Sequence, residues 1–312
     1  MNPLSTLLGT RYPVIQAGMV WCSGWRLAAA CSEAGILGVI GSGSMYPAVL
    51  REHIAKYRAA SDLPFGVNIP LLYPDIDKHI AAVIEGRVPV VITSAGNPRT
   101  HTLRLRDAGI KVLHVVSSAK FAEKAEAAGV DGIICEGFEA GGHNGREETT
   151  TMCLIPQVRR ATGLPLAAAG GIATGGAILA AMALGADGVQ IGSRFVASDE
   201  SSAHINFKHA VARAGEGDTR LTLKEVTPVR LLKNGFYRQV EEATARGADA
   251  RELAALLGKG RAKRGMFEGD EEEGELEIGQ VSGLIGDILP AKTIVETLLR
   301  EYEAARAAVG PL

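Results

Sequence analysis

The 312-residue sequence has almost no net charge, no paired-cysteine framework and no leader-like start. Its 33 Lys and Arg face 35 Asp and Glu, a formal charge of −2, so nothing in the whole-chain electrostatics calls for nucleic acid or an anionic membrane as partner. Any recognition by charge must come from local patches. Cys22, Cys31, Cys135 and Cys153 form no CxxC pair, which argues against a disulfide scaffold or a zinc site and for a reducing compartment. Residues 1–9 lack a basic stretch followed by a long apolar one, so no secretory signal is expected and the expected location is cytoplasmic. There is no Walker A run and no HExxH, and no metal is expected.

Residues 164–186 carry no charge and are long enough to raise the question of a membrane span. Their Ala and Gly content, with the pairs Gly170-Gly171 and Gly175-Gly176, reads instead as a strand, a turn and a buried helix. Gly41-Ser42-Gly43, with Asp62 downstream, starts like a dinucleotide-binding fingerprint, but Tyr46 stands where the third glycine belongs.

What the sequence does have is alternation. Apolar, β-rich runs fall at 13–19, 37–43, 65–70, 88–95, 111–116, 132–137, 165–172 and 188–195, with helical patterns at 25–34, 48–59, 75–85, 100–108, 119–128 and 176–184 between them. Alternation of this kind predicts a parallel sheet, and eight strands predict an α/β fold of the (β/α)8 TIM-barrel type ahead of an open doubly wound sheet. Beyond 195, residues 198–214 and 228–257 read as helices, 268–277 as a solvated acidic loop and 291–307 as an amphipathic helix, with no further strand evident. The expected organisation is a barrel of 1–196 and 291–312 with a helical insertion, or cap, of 197–290 before the last barrel helix.

Barrel enzymes carry their chemistry on the loops after the strand C-termini. Gly170-Gly171 and Gly192-Ser193 follow the last two strands, where backbone N–H groups can turn toward an anion; the plain alternative is that these glycines only make tight turns. His143, set among Gly141, Gly142 and Gly145, is either a proton-transfer group or a structural loop histidine. Asn68 and Glu136 end strands and can bind a ring or a polyol chain, or simply bridge turns, while Met19 and Trp21 can wall an aromatic ligand or pack the barrel mouth.

The runs EGFEAGGHNG at 136–145, AAGGI at 168–172 and GVQIGSRF at 188–195 resemble the nitronate monooxygenase and enoyl-acyl-carrier-protein reductase II family of FMN-binding barrels, and the resemblance spans essentially the whole chain. It implies that Ala17, Gly18 and Met19 contact a flavin ring, that Asn68 and Glu136 hold the ring or its ribityl chain, and that Gly170, Gly171, Gly192 and Ser193 hold the phosphate. It also places Gly141, Gln190 and Ile191 in the cofactor site, makes His143 the catalytic histidine, and returns the segment around 280–284 to the barrel mouth.

The family has two branches. One reduces the double bond of a trans-2-enoyl thioester on acyl carrier protein in fatty acid synthesis, with FMN recharged by NADPH or NADH. The other oxidises alkyl nitronates with O2. A third outcome is an NAD(P)H:quinone reductase. Gly18 stands where many monooxygenases resemble Gln-Ala-Pro-Met, which favours the reductase branch. Arg230, Lys233, Arg238, Lys259, Arg261, Lys263 and Arg264 read either as a docking face for an acidic carrier or a 2′-phosphate, or as a solvated face balancing the acid run. The resemblance allows a homodimer without fixing one.

Overall fold

The structure is a computed structural model that describes residues 2–310, so residues 1, 311 and 312 of the expected barrel segments lie outside the described residues. Its strands are β1 Val14–Gln16, β2 Gly38–Gly41, β3 Phe65–Pro70, β4 Val90–Ser94, β5 Lys111–Val116, β6 Gly132–Glu136, β7 Gly142–His143, β8 Leu166–Ala169, β9 Gly188–Ile191, β10 Thr219–Thr222 and β11 Val229–Leu232. Eight of them form one parallel sheet in the order β1-β9-β8-β6-β5-β4-β3-β2. The ring closes where Leu37, just before β2, exchanges backbone bonds of 2.9 Å with Val14 and Gln16 of β1. This is a (β/α)8 TIM barrel.

Side-chain alternation along the strands explains why it holds. Ile15, Val39, Val90, Ile92, Leu113, Ile134, Ala167 and Ala169 point inward, and Leu4 and Leu8 of the short helix Pro3–Leu8 plug the barrel at the strands' N-terminal end. The intervening residues, such as Ile40, Val67, Val91, Val112, Ile133 and Val189, pack outward against the surrounding helices, which supply Leu27, Leu50, Ile80, Leu154 and Ile178. With both faces buried, the strands read as continuous apolar runs. The other end of the barrel is left to the loops.

Three helices have no counterpart in the sequence reading: Pro3–Leu8, Ser193–Val196, which takes over the end of the run 188–195 once β9 stops at Ile191, and Thr151–Ala161, with Pro156 inside it, where a missing N–H argues against a helix. The region 197–290 also differs from the expected all-helical cap. It contains the antiparallel pair β10 and β11, so residues 228–232 are strand and the helices there are Gly235–Ala245 and Ala250–Leu257. β11 also pairs with β7, Val229 opposite His143 and Arg230 opposite Gly142, which ties the cap to the loop after β6. Its apolar residues Val229 and Leu231 are buried under Phe236, Val240 and Leu253. The four-residue strands are too short to show a period of their own.

Candidate active site

The loops at the open end enclose a cavity of about 1090 Å³. That exceeds what one small molecule needs, and leaves room for a cofactor and a substrate together. Ala17, Gly18, Met19, Asn68, Glu136, Gly141, His143, Gly170, Gly171, Gln190, Gly192 and Ser193 all line it. Ile191 does not. Its side chain is buried in the layer between barrel and helices, because on β9 it alternates with the inward-facing Gln190.

The first loop is shaped from behind. Gln16 points out of the barrel, where its Oε1 accepts from Val39 N–H (3.0 Å) and its Nε2 donates to Ser23 Oγ (3.0 Å). Ser23 Oγ in turn accepts from Met19 N–H at 3.0 Å and donates to Ala17 O at 2.9 Å, fixing the course of Ala17–Met19 past the cavity. Gly18 passes so close to β3 that a Cβ there would stand 2.5 Å from Asn68 Cβ. A proline there, as in the Gln-Ala-Pro-Met pattern, therefore has no room in this arrangement.

At the ends of β8 and β9 the wall is backbone. Gly170 and Gly171 adopt φ of +86° and +71°, conformations that disfavour any other residue. Among the described residues, the N–H groups of Gly171 and Ser193 have no protein acceptor. Ser193 Oγ accepts from Gly279 N–H at 2.9 Å, which leaves its hydroxyl hydrogen for a ligand. Along the rim, Asn68 donates to Ile92 O (3.1 Å) and Ser94 Oγ (3.3 Å), while the side chains of Glu136 and Gln190 have no protein hydrogen-bond partner among the described residues. Unmet donors at one end and unmet polar side chains along the rim fit a long polar ligand with a phosphate tail.

Burial pushes the half-buried Glu136 carboxyl up to about 7. His114 also borders the cavity, but its Nδ1 is bound to Thr93 Oγ1 at 2.7 Å and burial lowers it to about 4, so it stays neutral at physiological pH. His143 is exposed on β7, and its loop is clamped by Arg230. The Arg230 guanidinium donates to Phe138 O at 2.9 and 3.1 Å and lies over the Phe138 ring at 5.1 Å.

Arg230 is 2% exposed, so it cannot belong to a docking face, and most of the remaining basic cluster is spoken for. Arg238 pairs with Glu272, Arg261 with Glu273, Lys263 with Glu268 and Arg264 with Asp270, while Arg261 also lies over Phe236. The acid run thus neutralises the basic one within the cap. Nor is that run a solvated loop throughout. Glu275 is 6% exposed, and Glu277 lines the cavity.

Glu277 reaches the wall because its segment returns to the barrel mouth. It bridges Leu231 of β11, after which Gly279 N–H reaches Ser193 and Gln280 N–H reaches Glu139 O at 3.0 Å. The crossing is tight: a Cβ at Gly141 would stand 2.4 Å from the Ile278 carbonyl carbon. Gly141 is thus needed at the crossing itself. The placement of Glu277 depends on pairing with residues dozens of positions away; the faint signal in the sequence is an apolar residue on either side of it, Leu276 and Ile278.

The chain matches the family described as nitronate monooxygenase over residues 1–82 and 74–301. It belongs to the nitronate monooxygenase family. Among solved structures, FabK of Thermotoga maritima is 42% identical to this family member with a TM-score of 0.93, covering 98% of this chain and 97% of that one. A nitroalkane oxidase of Streptomyces ansochromogenes is 32% identical with a TM-score of 0.84, covering 99% and 100%. An octahydroindene carboxyl-CoA dehydrogenase of Mycobacterium tuberculosis is 32% identical, with 96% of this chain and 95% of that protein covered. This nitronate monooxygenase family member is accordingly an enzyme, an oxidoreductase, and the family implies a flavin. No helix among the described residues is long and apolar enough to cross a membrane.

Proposed function

We propose that this chain is an FMN-dependent reductase of 2-enoyl thioesters that uses NADPH or NADH, with the acyl group carried on acyl carrier protein. The observation that carries this reading is the excess of acid in the cavity: three carboxyls, Glu136, Glu139 and Glu277, stand on its wall with His143, against two exposed cations, Arg99 and Lys124. An alkyl nitronate is an anion and is repelled as these acids ionise, whereas the reacting carbons of an enoyl thioester are neutral. The 42% likeness to FabK, an enoyl-acyl-carrier-protein reductase II, supports the same branch. The neutralised cap contributes no basic face for the carrier at Arg238, Arg261, Lys263 and Arg264, so the thioester itself is the recognised unit.

In this reading Gly170, Gly171, Gly192 and Ser193 hold the phosphate by backbone N–H and hydroxyl, Asn68, Glu136 and Gln190 hold the ribityl chain, and Ala17 to Met19 lie along the ring. Bound FMN supplies the hydride chemistry, from NAD(P)H to the β-carbon of the substrate. His143 gives a proton to the α-carbon, and the cap segment 277–281 limits access of water. The family description and the nitroalkane oxidase likeness favour a second reading, oxidation of nitronates by O2. The test is anaerobic reduction of the purified protein by NADPH and NADH, followed by mixing with crotonyl thioester, alkyl nitronate or quinone. Reoxidation by the thioester is expected; reoxidation by quinone alone, or nitronate turnover without thioester reduction, contradicts the proposal.

A further inference from the structure

Glu277 and His143 are neighbours on a single edge. β11 carries Val229, Arg230 and Leu231 in succession, and opposite them stand His143, Gly142 and Glu277. Gly142 separates the two, with φ of +75° and no side chain, and a Cβ there would lie 2.6 Å from Glu277 Oε2. The carboxyl therefore rests against the backbone next to the histidine, at the wall of the cavity that both residues line. No protein group among the described residues donates a hydrogen bond to it. An acid held without a protein partner beside a proton-transfer histidine is an unusual use of a half-buried position, since unpaired carboxyls are costly as they leave water.

We propose that Glu277 is the proton-supplying residue that recharges His143 after each transfer. This rests on the reading of His143 as the proton donor to the substrate. As hydride from the reductant reaches the β-carbon, the electron pair of the C=C bond moves to the α-carbon, which takes a proton from the His143 imidazolium. The neutral imidazole then takes a proton from the Glu277 carboxylic acid, and the carboxylate left behind regains one from water. One solvent proton is consumed per double bond, and neither residue changes oxidation state.

The charged surroundings suit the task. Glu275 stands near Glu277, within reach of the charges of His143 and Arg261, while Cys22 and, beyond it, Lys208 approach from the first loop and the helix Ile205–Arg213. Arg230, across the strand, is turned away to Phe138. Burial, then repulsion between the two acids, holds the pair well above the usual carboxylate range, so a proton is available near neutrality.

The test compares holoenzyme of wild type and Glu277→Gln across pH, with crotonyl thioester and NAD(P)H. The variant should lose about 10-fold in kcat at pH 6, where the wild-type acid is protonated, and little at pH 9, where it is already spent. An equal loss at every pH is the mark of a structural role and overturns the proposal, as does an unchanged profile. A second readout needs no turnover: carboxyl 13C NMR of glutamate-labelled protein, in wild type and His143→Gln. Loss of the imidazolium should raise the midpoint of the Glu275–Glu277 pair, and a midpoint that does not move contradicts the coupling. If the wild type fails to reduce the thioester, the proposed function falls, and the NMR comparison still decides whether His143 is coupled to the carboxyl pair.

Discussion

The two ends of the cavity are built from opposite materials. At the end of β8 and β9 the wall is largely backbone, with N–H groups of Gly171 and Ser193 that have no protein acceptor among the described residues, and the acid beside Gly171, Glu139, accepts from Thr151 N–H and Oγ1 at 3.0 Å. At the other end, which the returning segment joins to the first where Gly279 N–H reaches Ser193 Oγ, the wall is side chain, with His143 on β7 and Glu277 on the returning cap segment. An end made of N–H donors is sensitive to volume and backbone conformation and indifferent to pH. An end made of an imidazole and a carboxyl is sensitive to protonation. Holding and reacting are thereby separated, and each end can be broken without the other.

The largest effect is expected at the reacting end. His143→Ala should fold and keep its cofactor while turnover falls by about 10²-fold or more, the usual scale for loss of a general acid or base. Released flavin measured alongside kcat checks both halves, and equal loss of flavin and rate would merge the two ends into one. At the holding end, Gly171→Val combines a disallowed φ of +71° with added bulk, and the protein should purify with about a tenth of the wild-type flavin or less. Gly192 has room for a methyl group, whose nearest neighbour would be Met19 Sδ at 3.4 Å, so Gly192→Ala should keep the wild-type melting temperature and weaken flavin retention at pH 6 and pH 9 alike.

Stability carries the pH signature of the reacting end. Burial raises Glu275 to about 8 in the folded chain, above its unfolded value, so the native state holds this proton more tightly than the unfolded one. The stability tied to that proton is present at acid pH and is lost as pH rises through the folded value. Glu275→Gln, which cannot ionise, should melt a few degrees above wild type at pH 8.5 and at about the same temperature at pH 5, by calorimetry at both. The smallest effect belongs to the cap surface. Arg238→Ala and Lys263→Ala break exposed pairs with Glu272 and Glu268, each worth about 1 kcal/mol or less, and KM for a carrier-bound substrate should hardly change. A large rise in KM would restore the cap as a docking face.

The difference between the ends also decides what could be read from the sequence. The holding end follows from local rules: a glycine pair after an apolar run and a Gly-Ser after the next are contiguous in sequence, and so is the loop that carries His143. Strands at 65–70 and 111–116 are legible to the residue for the same reason. The reacting end is half hidden. Glu277 sits in a stretch that looks like surface acid, and only its bridge to Leu231 and the crossing at Gly141 bring it to the wall. β10 and β11 are not legible because four residues show no period, and Arg230 reads as a surface cation in sequence although its guanidinium donates to the Phe138 carbonyl. Ile191 was carried along with its neighbours, although a shift of one residue on a strand changes the face.

The acid-walled cavity with its phosphate-holding end is proposed to reduce a neutral enoyl thioester. That activity is tested most directly by kcat/KM for a carrier-bound 2-enoyl thioester with NAD(P)H against kcat/KM for an alkyl nitronate with O2, on one enzyme preparation between pH 6 and pH 8. A ratio well above one is expected across that range. Efficient nitronate oxidation with no NAD(P)H-dependent thioester reduction would contradict it.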